Sequence, residues 1–102
     1  MKRLFAWMLV TCLAAPSAWA SLALATKNGC TSCHAVDKKA LGPSYRDVAK
    51  KYADQKEAPA NLVKSIQNGS SGKWGHMPMP AHPSLSDADA AVLVAWILGG
   101  SK

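Results

Sequence analysis

Acidic side chains are scarce in this 102-residue chain, where six Asp and Glu stand against twelve Lys and Arg. Cysteine is nearly absent: Cys12, Cys30 and Cys33 are the whole supply. That is too few thiolates for a structural zinc site unless histidines join them, and there is no second C-x-x-C. A disulfide between Cys30 and Cys33 would close a tiny loop and restrain little of the unfolded chain. No arginine-rich stripe or basic run interleaved with aromatics is present, which argues against nucleic acid as a partner. No apolar run reaches the roughly 20 residues of a membrane span, so no stable membrane anchor is expected. There is also no convincing strand, no internal repeat and none of the βαβ pattern expected around a redox dithiol.

The chain begins with a charged segment, Met1-Lys2-Arg3, followed by nearly continuous apolar residues from Leu4 to Ala15. Pro16 interrupts that run, and Ala18-Trp19-Ala20 supplies the small-x-small pattern of a signal peptidase site. Residues 1–20 are therefore expected to be a signal peptide cleaved after Ala20. Cys12 falls in that discarded segment, leaving a single small domain over residues 21–102. Without Lys2 and Arg3, ten basic residues face six acidic ones, near +4. Each scattered lysine reads as solvated surface. Together they could steer docking onto an acidic partner face, with salt-sensitive association.

Within the exported domain, Cys30-Thr31-Ser32-Cys33-His34 is a C-x-x-C-H pentapeptide, the attachment signal of a c-type haem. Two thiols separated by two residues sit on one turn, and each can form a thioether with a porphyrin vinyl group. The adjacent His34 imidazole then lies where it can bind the iron. A bare C-x-x-C is weak evidence, but the following histidine makes one covalently attached haem per chain the best reading. A domain of this size usually needs help to build a sufficient core, and a buried porphyrin would supply it.

Hydrophobic spacing predicts short helices joined by loops. Residues 21–28 form a helical run with Leu22, Leu24 and Ala25 apolar, Ser21 able to cap it and Gly29 ending it. Residues 45–52 place Tyr45, Val48, Ala49 and Tyr52 on one face. Residues 58–67 place Leu62, Val63 and Ile66 together, with Pro59 in the first turn and Asn68-Gly69 as the stop. Ser86 caps a last helix that runs to about Leu98, with acidic residues in its first turn. Val92, Ala95, Trp96 and Leu98 are its expected packing face. Residues 70–83, rich in Gly, Ser and Pro, form no regular element. The fold class is all-α.

Electron transfer, as opposed to gas binding, needs a second protein ligand on the iron. His76, Met77, Met79 and His82 all lie in the loop before the last helix. Met79 is favoured because Pro78 and Pro80 fix the backbone on both sides of it. A ligand on stiff backbone loses little entropy when its bond forms. Met77 and the histidines remain alternatives, and either methionine could instead be a gap-filling core residue.

Taken in order, Asn28-Gly29-Cys30, Cys33-His34-Ala35, Gly42-Pro43-Ser44-Tyr45, Asn68-Gly69-Ser70, Trp74-Gly75, Pro78-Met79-Pro80 and Ala95-Trp96-Ile97-Leu98 resemble a known family. It is that of the small bacterial monohaem class I cytochromes c, the short type that carries electrons in the periplasm during denitrification and related respiration. The resemblance covers nearly all of residues 21–102. It implies about four short helices packed around one haem, with His34 and Met79 as axial ligands. It implies that His34 donates to the Pro43 carbonyl, that the Trp74 indole N–H bonds a haem propionate, and that Gly29 and Trp96 meet where the first and last helices cross.

The same resemblance implies a one-electron carrier with no catalytic role, since a His/Met-ligated iron has no open position. Its partners would be a membrane cytochrome complex as donor and nitrite reductase, a terminal oxidase or a peroxidase as acceptor, with the carrier itself monomeric. Two departures stand out. Ser65 occupies the position where relatives often carry an arginine near the propionates, which implies a raised propionate pKa. Ala81-His82-Pro83 replaces a segment that often holds an asparagine beside the methionine sulfur, with one extra residue before the last helix.

Overall fold

The structure, a computed structural model, describes residues 17–102, and the side chains from Ser21 onward. The charged and apolar segment of the expected leader, residues 1–16, lies outside the described residues. The elements follow the order α1 (Ser17–Lys27), a 3₁₀ turn (Cys30–Ser32), α2 (Tyr45–Tyr52), α3 (Ala58–Asn68) and α4 (Asp87–Leu98). Among the described residues there is no strand. A single antiparallel bridge joins Ser70 to Met79.

Local chemistry accounts for most of the boundaries. Ser44 caps α2 by accepting from the Asp47 N–H at 3.1 Å, and Ser86 caps α4 by accepting from the Asp89 N–H at 3.1 Å. Each hydroxyl satisfies one of the N–H groups a helix start leaves without a partner. Pro59 lies in the first turn of α3, where its missing N–H removes no helical bond. α1 begins at Ser17, earlier than the expected start at 21, so it runs across the Ala20–Ser21 bond. Ser21 is consequently buried inside the helix and does not cap it.

α4 packs against α1, α2 and α3 and is the spine of the fold. Its buried positions are Ala90, Leu93, Val94 and Trp96, while Val92 is exposed. The expected face over Val92, Ala95, Trp96 and Leu98 is thus rotated. The physical reason is that α4 is apolar almost all round after its acidic first turn. Periodicity then gives no preferred face, and the neighbours on three sides choose it. Tyr45 and Val48 of α2, Ile66 of α3, Ala25 of α1 and Leu85 complete the core, with Leu62, Val63 and Met79 packed partly against it.

Gly29 also departs from the sequence reading. It adopts φ +77°, and a Cβ built there would meet nothing within 4 Å. Its requirement is the left-handed turn out of α1, not close approach to the helix that carries Trp96. Trp96 instead packs edge-on against Tyr45, with ring centroids 5.2 Å apart.

Candidate functional site

One cavity of about 200 Å³, open to solvent, lies between the 3₁₀ turn, α2, α3, α4 and the loop that precedes α4. Cys30, Cys33, His34, Pro43, Trp74 and Met79 all line it. The residues singled out along the sequence therefore converge on one space, and Met77 lines it too.

The wall carrying His34 is built from the chain just after α1. Cys33 and His34 both donate backbone N–H groups to the Cys30 carbonyl, at 3.2 and 2.9 Å, which closes the turn and sets both thiols on it. Both cysteines are free thiols. Burial is the main influence pushing the Cys30 thiol up, and the adjacent Cys33 adds to it against a backbone hydrogen bond that lowers it. Cys30 is thus held as a neutral thiol.

His34 Nδ1 lies 2.7 Å from the Pro43 carbonyl oxygen. A carbonyl only accepts, so the ring proton sits on Nδ1 and the Nε2 lone pair is left for another partner. Gly42 leaves room for this ring: a Cβ there would stand 2.8 Å from His34 Cε1 and 3.1 Å from Nδ1. The Gly42 N–H donates to the Cys33 carbonyl at 2.7 Å, and Tyr45 N–H donates to Ala35 at 2.9 Å. Tyr45 stacks on the imidazole with centroids 5.5 Å apart and planes at 23°. Its hydroxyl is buried without a hydrogen-bond partner. Burial, with a smaller contribution from Cys30, pushes the phenol above its ordinary range. Tyr45 was legible in the sequence as a helix-face residue and not as part of the site, because only the fold brings it against His34.

The wall carrying Met79 is a loop. Met79 exchanges two backbone hydrogen bonds with Ser70, donating at 2.8 Å and accepting at 3.1 Å. Prolines flank it, so its N–H is the sole backbone donor of Pro78-Met79-Pro80, and the bridge uses it. Gly69 makes the bridge possible. It adopts φ 81° and ψ 171°, a region essentially limited to glycine, and a Cβ there would meet the Met79 carbonyl oxygen at 2.7 Å. The His82 N–H donates to the Ile66 carbonyl at 2.9 Å, which ties the end of the loop to α3. Nothing along the chain signalled the Ser70–Met79 pairing, since a single bridge has no periodicity.

Trp74 stands at the mouth, 41% exposed, with Lys51 Nζ 4.3 Å from its ring centroid and Tyr52 edge-on at 6.5 Å. Leu41 and Met77 are also exposed there, at 61% and 62%.

This donor set fits a porphyrin. Two free thiols lie on one turn beside an imidazole whose Nδ1 is already engaged, leaving Nε2 free. A thioether shares the same cavity, and the remaining lining is mostly aliphatic, aromatic and proline. The Gly42 cradle keeps the imidazole in place, as a metal-binding histidine requires.

Comparison with known proteins gives the same answer. The family described as Cytochrome c matches residues 22–101. The chain is 49% identical over 86 residues to cytochrome c-552 of Nitrosomonas europaea, covering 84% of each. It is 47% identical over 88 residues to cytochrome c-551 of Pseudomonas aeruginosa, again covering 84% of each. The crystal structure of wild-type Nitrosomonas europaea cytochrome c552 superposes with a TM-score of 0.75 at 48% identity, covering 78% of this chain and 98% of that one. The class 1 cytochrome MtoD of Sideroxydans lithotrophicus ES-1 follows with a TM-score of 0.70 at 33% identity, covering 86% and 100%. The all-α fold is that of the class I cytochromes c. With Cys30 and Cys33 as the attachment points of a covalent c-type haem, the chain belongs to the cytochrome c family of small monohaem electron carriers.

Proposed function

We propose that the chain is a one-electron carrier of the bacterial periplasm in which His34 and Met79 are the two axial ligands of the haem iron. The observation that carries this reading is that the free Nε2 of His34 and the thioether of Met79 belong to opposite builds of backbone around one cavity, each held in place before any ligand bond forms. Haem supplies a one-electron iron couple when bound. The chain's own residues hold, orient and shield it. The Pro43 carbonyl fixes the imidazole tautomer and makes the ligand more basic. The Ser70 bridge and the two prolines hold Met79, whose thioether favours reduced iron. Tyr45, Leu93, Val94 and Ile97 exclude water from the inner wall.

With His34 and Met79 both holding the iron, no open site would remain for substrate, so the reading assigns no enzymatic activity. Trp74 is assigned a haem propionate as the acceptor for its indole N–H. The exposed Leu41 and Met77 beside the mouth suit brief docking of redox proteins: a membrane cytochrome complex as donor, and nitrite reductase, a terminal oxidase or a peroxidase as acceptor. The carrier is assigned as a monomer exported by residues 1–20 and cleaved after Ala20.

Axial ligation is the test. The oxidised holoprotein should show the weak far-red band of methionine-ligated haem, and the reduced form should resist carbon monoxide. Met79→Ala should lose the band and admit carbon monoxide, while Met77→Ala keeps the wild-type behaviour. Ready carbon monoxide binding by the unaltered reduced protein would sink the carrier reading.

A further inference from the structure

The cavity mouth carries positive charge for which iron ligation has no use. Lys73 is the one cationic side chain among the described lining residues, and no Asp or Glu lines the cavity. Lys73 Nζ donates to Ser65 Oγ at 3.0 Å, and Ser65 Oγ in turn donates to the Asn61 carbonyl at 3.1 Å. The hydroxyl proton is committed to that carbonyl, so Ser65 presents a lone pair to the ammonium. This leaves two of the three ammonium protons for a further acceptor.

The neighbouring lysine has a different task. Lys51 Nζ donates to the Lys73 carbonyl at 3.0 Å while lying 4.3 Å from the centroid of the Trp74 ring. It thereby holds both the backbone of residue 73 and the indole of residue 74. Both ammonium groups have neutral oxygens as their hydrogen-bond partners. Two like charges gathered at the rim of a low-dielectric cavity favour an anion between them and the cavity. The other titratable groups on this side are Tyr52 of α2 and Lys64 of α3, which share a hollow with Ser65 and Lys73, and His76 farther along the loop. None of them is a carboxylate.

We propose that Lys73, oriented by Ser65, is the cationic partner of a haem carboxylate at this mouth, with Lys51 positioning the loop and the Trp74 indole beside it. The inference rests on the haem occupying this cavity, and not on which side chain ligates the iron. It changes what Ser65 means. Where position 65 carries no charge of its own, its hydroxyl seats an ammonium that arrives from eight residues further along the chain. The carboxylate is then kept ionised to lower pH than the uncharged position 65 alone implies.

The test is the reduction potential of the holoprotein as a function of pH, followed spectroelectrochemically. Ionisation of a carboxylate near the iron favours the oxidised, more positive haem, so the potential falls through that ionisation and the curve has an inflection. Removing a neighbouring cation raises a carboxylate pKa, by about one unit for a pair at the solvent boundary. Lys73→Gln should therefore move the inflection up by about one pH unit, and Ser65→Ala should move it less in the same direction. Lys73→Arg should restore it, and Lys64→Gln should leave it in place. The proposal is overturned if Lys73→Gln keeps the wild-type inflection, or if Lys64→Gln shifts it equally. Variants are compared only where the far-red band and covalent haem match the wild type. A protein lacking both would count against the carrier reading itself, whereas an unmoved inflection in an intact haem protein would count against Lys73 alone.

Discussion

The cavity walls that carry His34 and Met79 are made in different ways. The His34 wall uses consecutive chain: a 3₁₀ turn, a loop and the start of α2, closed by backbone bonds among Cys30, Cys33, Gly42, Ala35 and Tyr45. Its partners are few residues apart, so little chain entropy is lost in closing it. The Met79 wall is a loop pinned at its base by the Ser70 bridge and at its end by the bond from His82 to Ile66. Between those points Trp74 and Met77 are exposed. The first wall is held by packing and local geometry, and the second by a few backbone contacts and the stiffness of proline. On the proposed ligation, such a carrier would keep one ligand on rigid ground and tune the other through its loop.

Matched glycine substitutions sharpen this contrast. Gly69→Ala is expected to have the larger effect. It combines a backbone region nearly closed to alanine with a 2.7 Å approach to the Met79 carbonyl, and should cost about 2–4 kcal/mol. Denaturant unfolding would read the loss, and the far-red band should weaken with it. Gly42→Ala forces a Cβ to 2.8 Å from the His34 ring and should cost about 1–3 kcal/mol by overpacking. Here the far-red band should survive, because the Met79 wall is untouched. Loss of the band in both variants would mean that the walls do not act separately. Pro78→Ala should be the mildest, about 0.4–1 kcal/mol through a freer unfolded chain, measurable as a lowered midpoint with an unchanged band.

Much of this was legible along the chain. α2 starts and stops where its apolar spacing and the Ser44 hydroxyl direct, and α4 starts at its Ser86 cap. The sequence also set Pro43 beside His34 and the C-x-x-C-H residues with Met79 as candidates, and the structure has His34 Nδ1 at the Pro43 carbonyl and all of them lining one cavity. What escaped depends on contacts between distant residues. The buried face of α4 is chosen by three neighbouring elements, and Ser70 meets Met79 without any repeating pattern. The Lys51–Lys73–Trp74 cluster joins α2 to a loop more than twenty positions away, where each lysine alone reads as ordinary surface.

The Met79 amide has one more consequence. Because both neighbours are prolines, no other backbone N–H exists in the tripeptide, and this one is tied to the Ser70 carbonyl at 2.8 Å. It exchanges with solvent only when the bridge opens. A single amide signal therefore serves as a clock for excursions of the Met79 loop, readable in either oxidation state without labelling the sulfur.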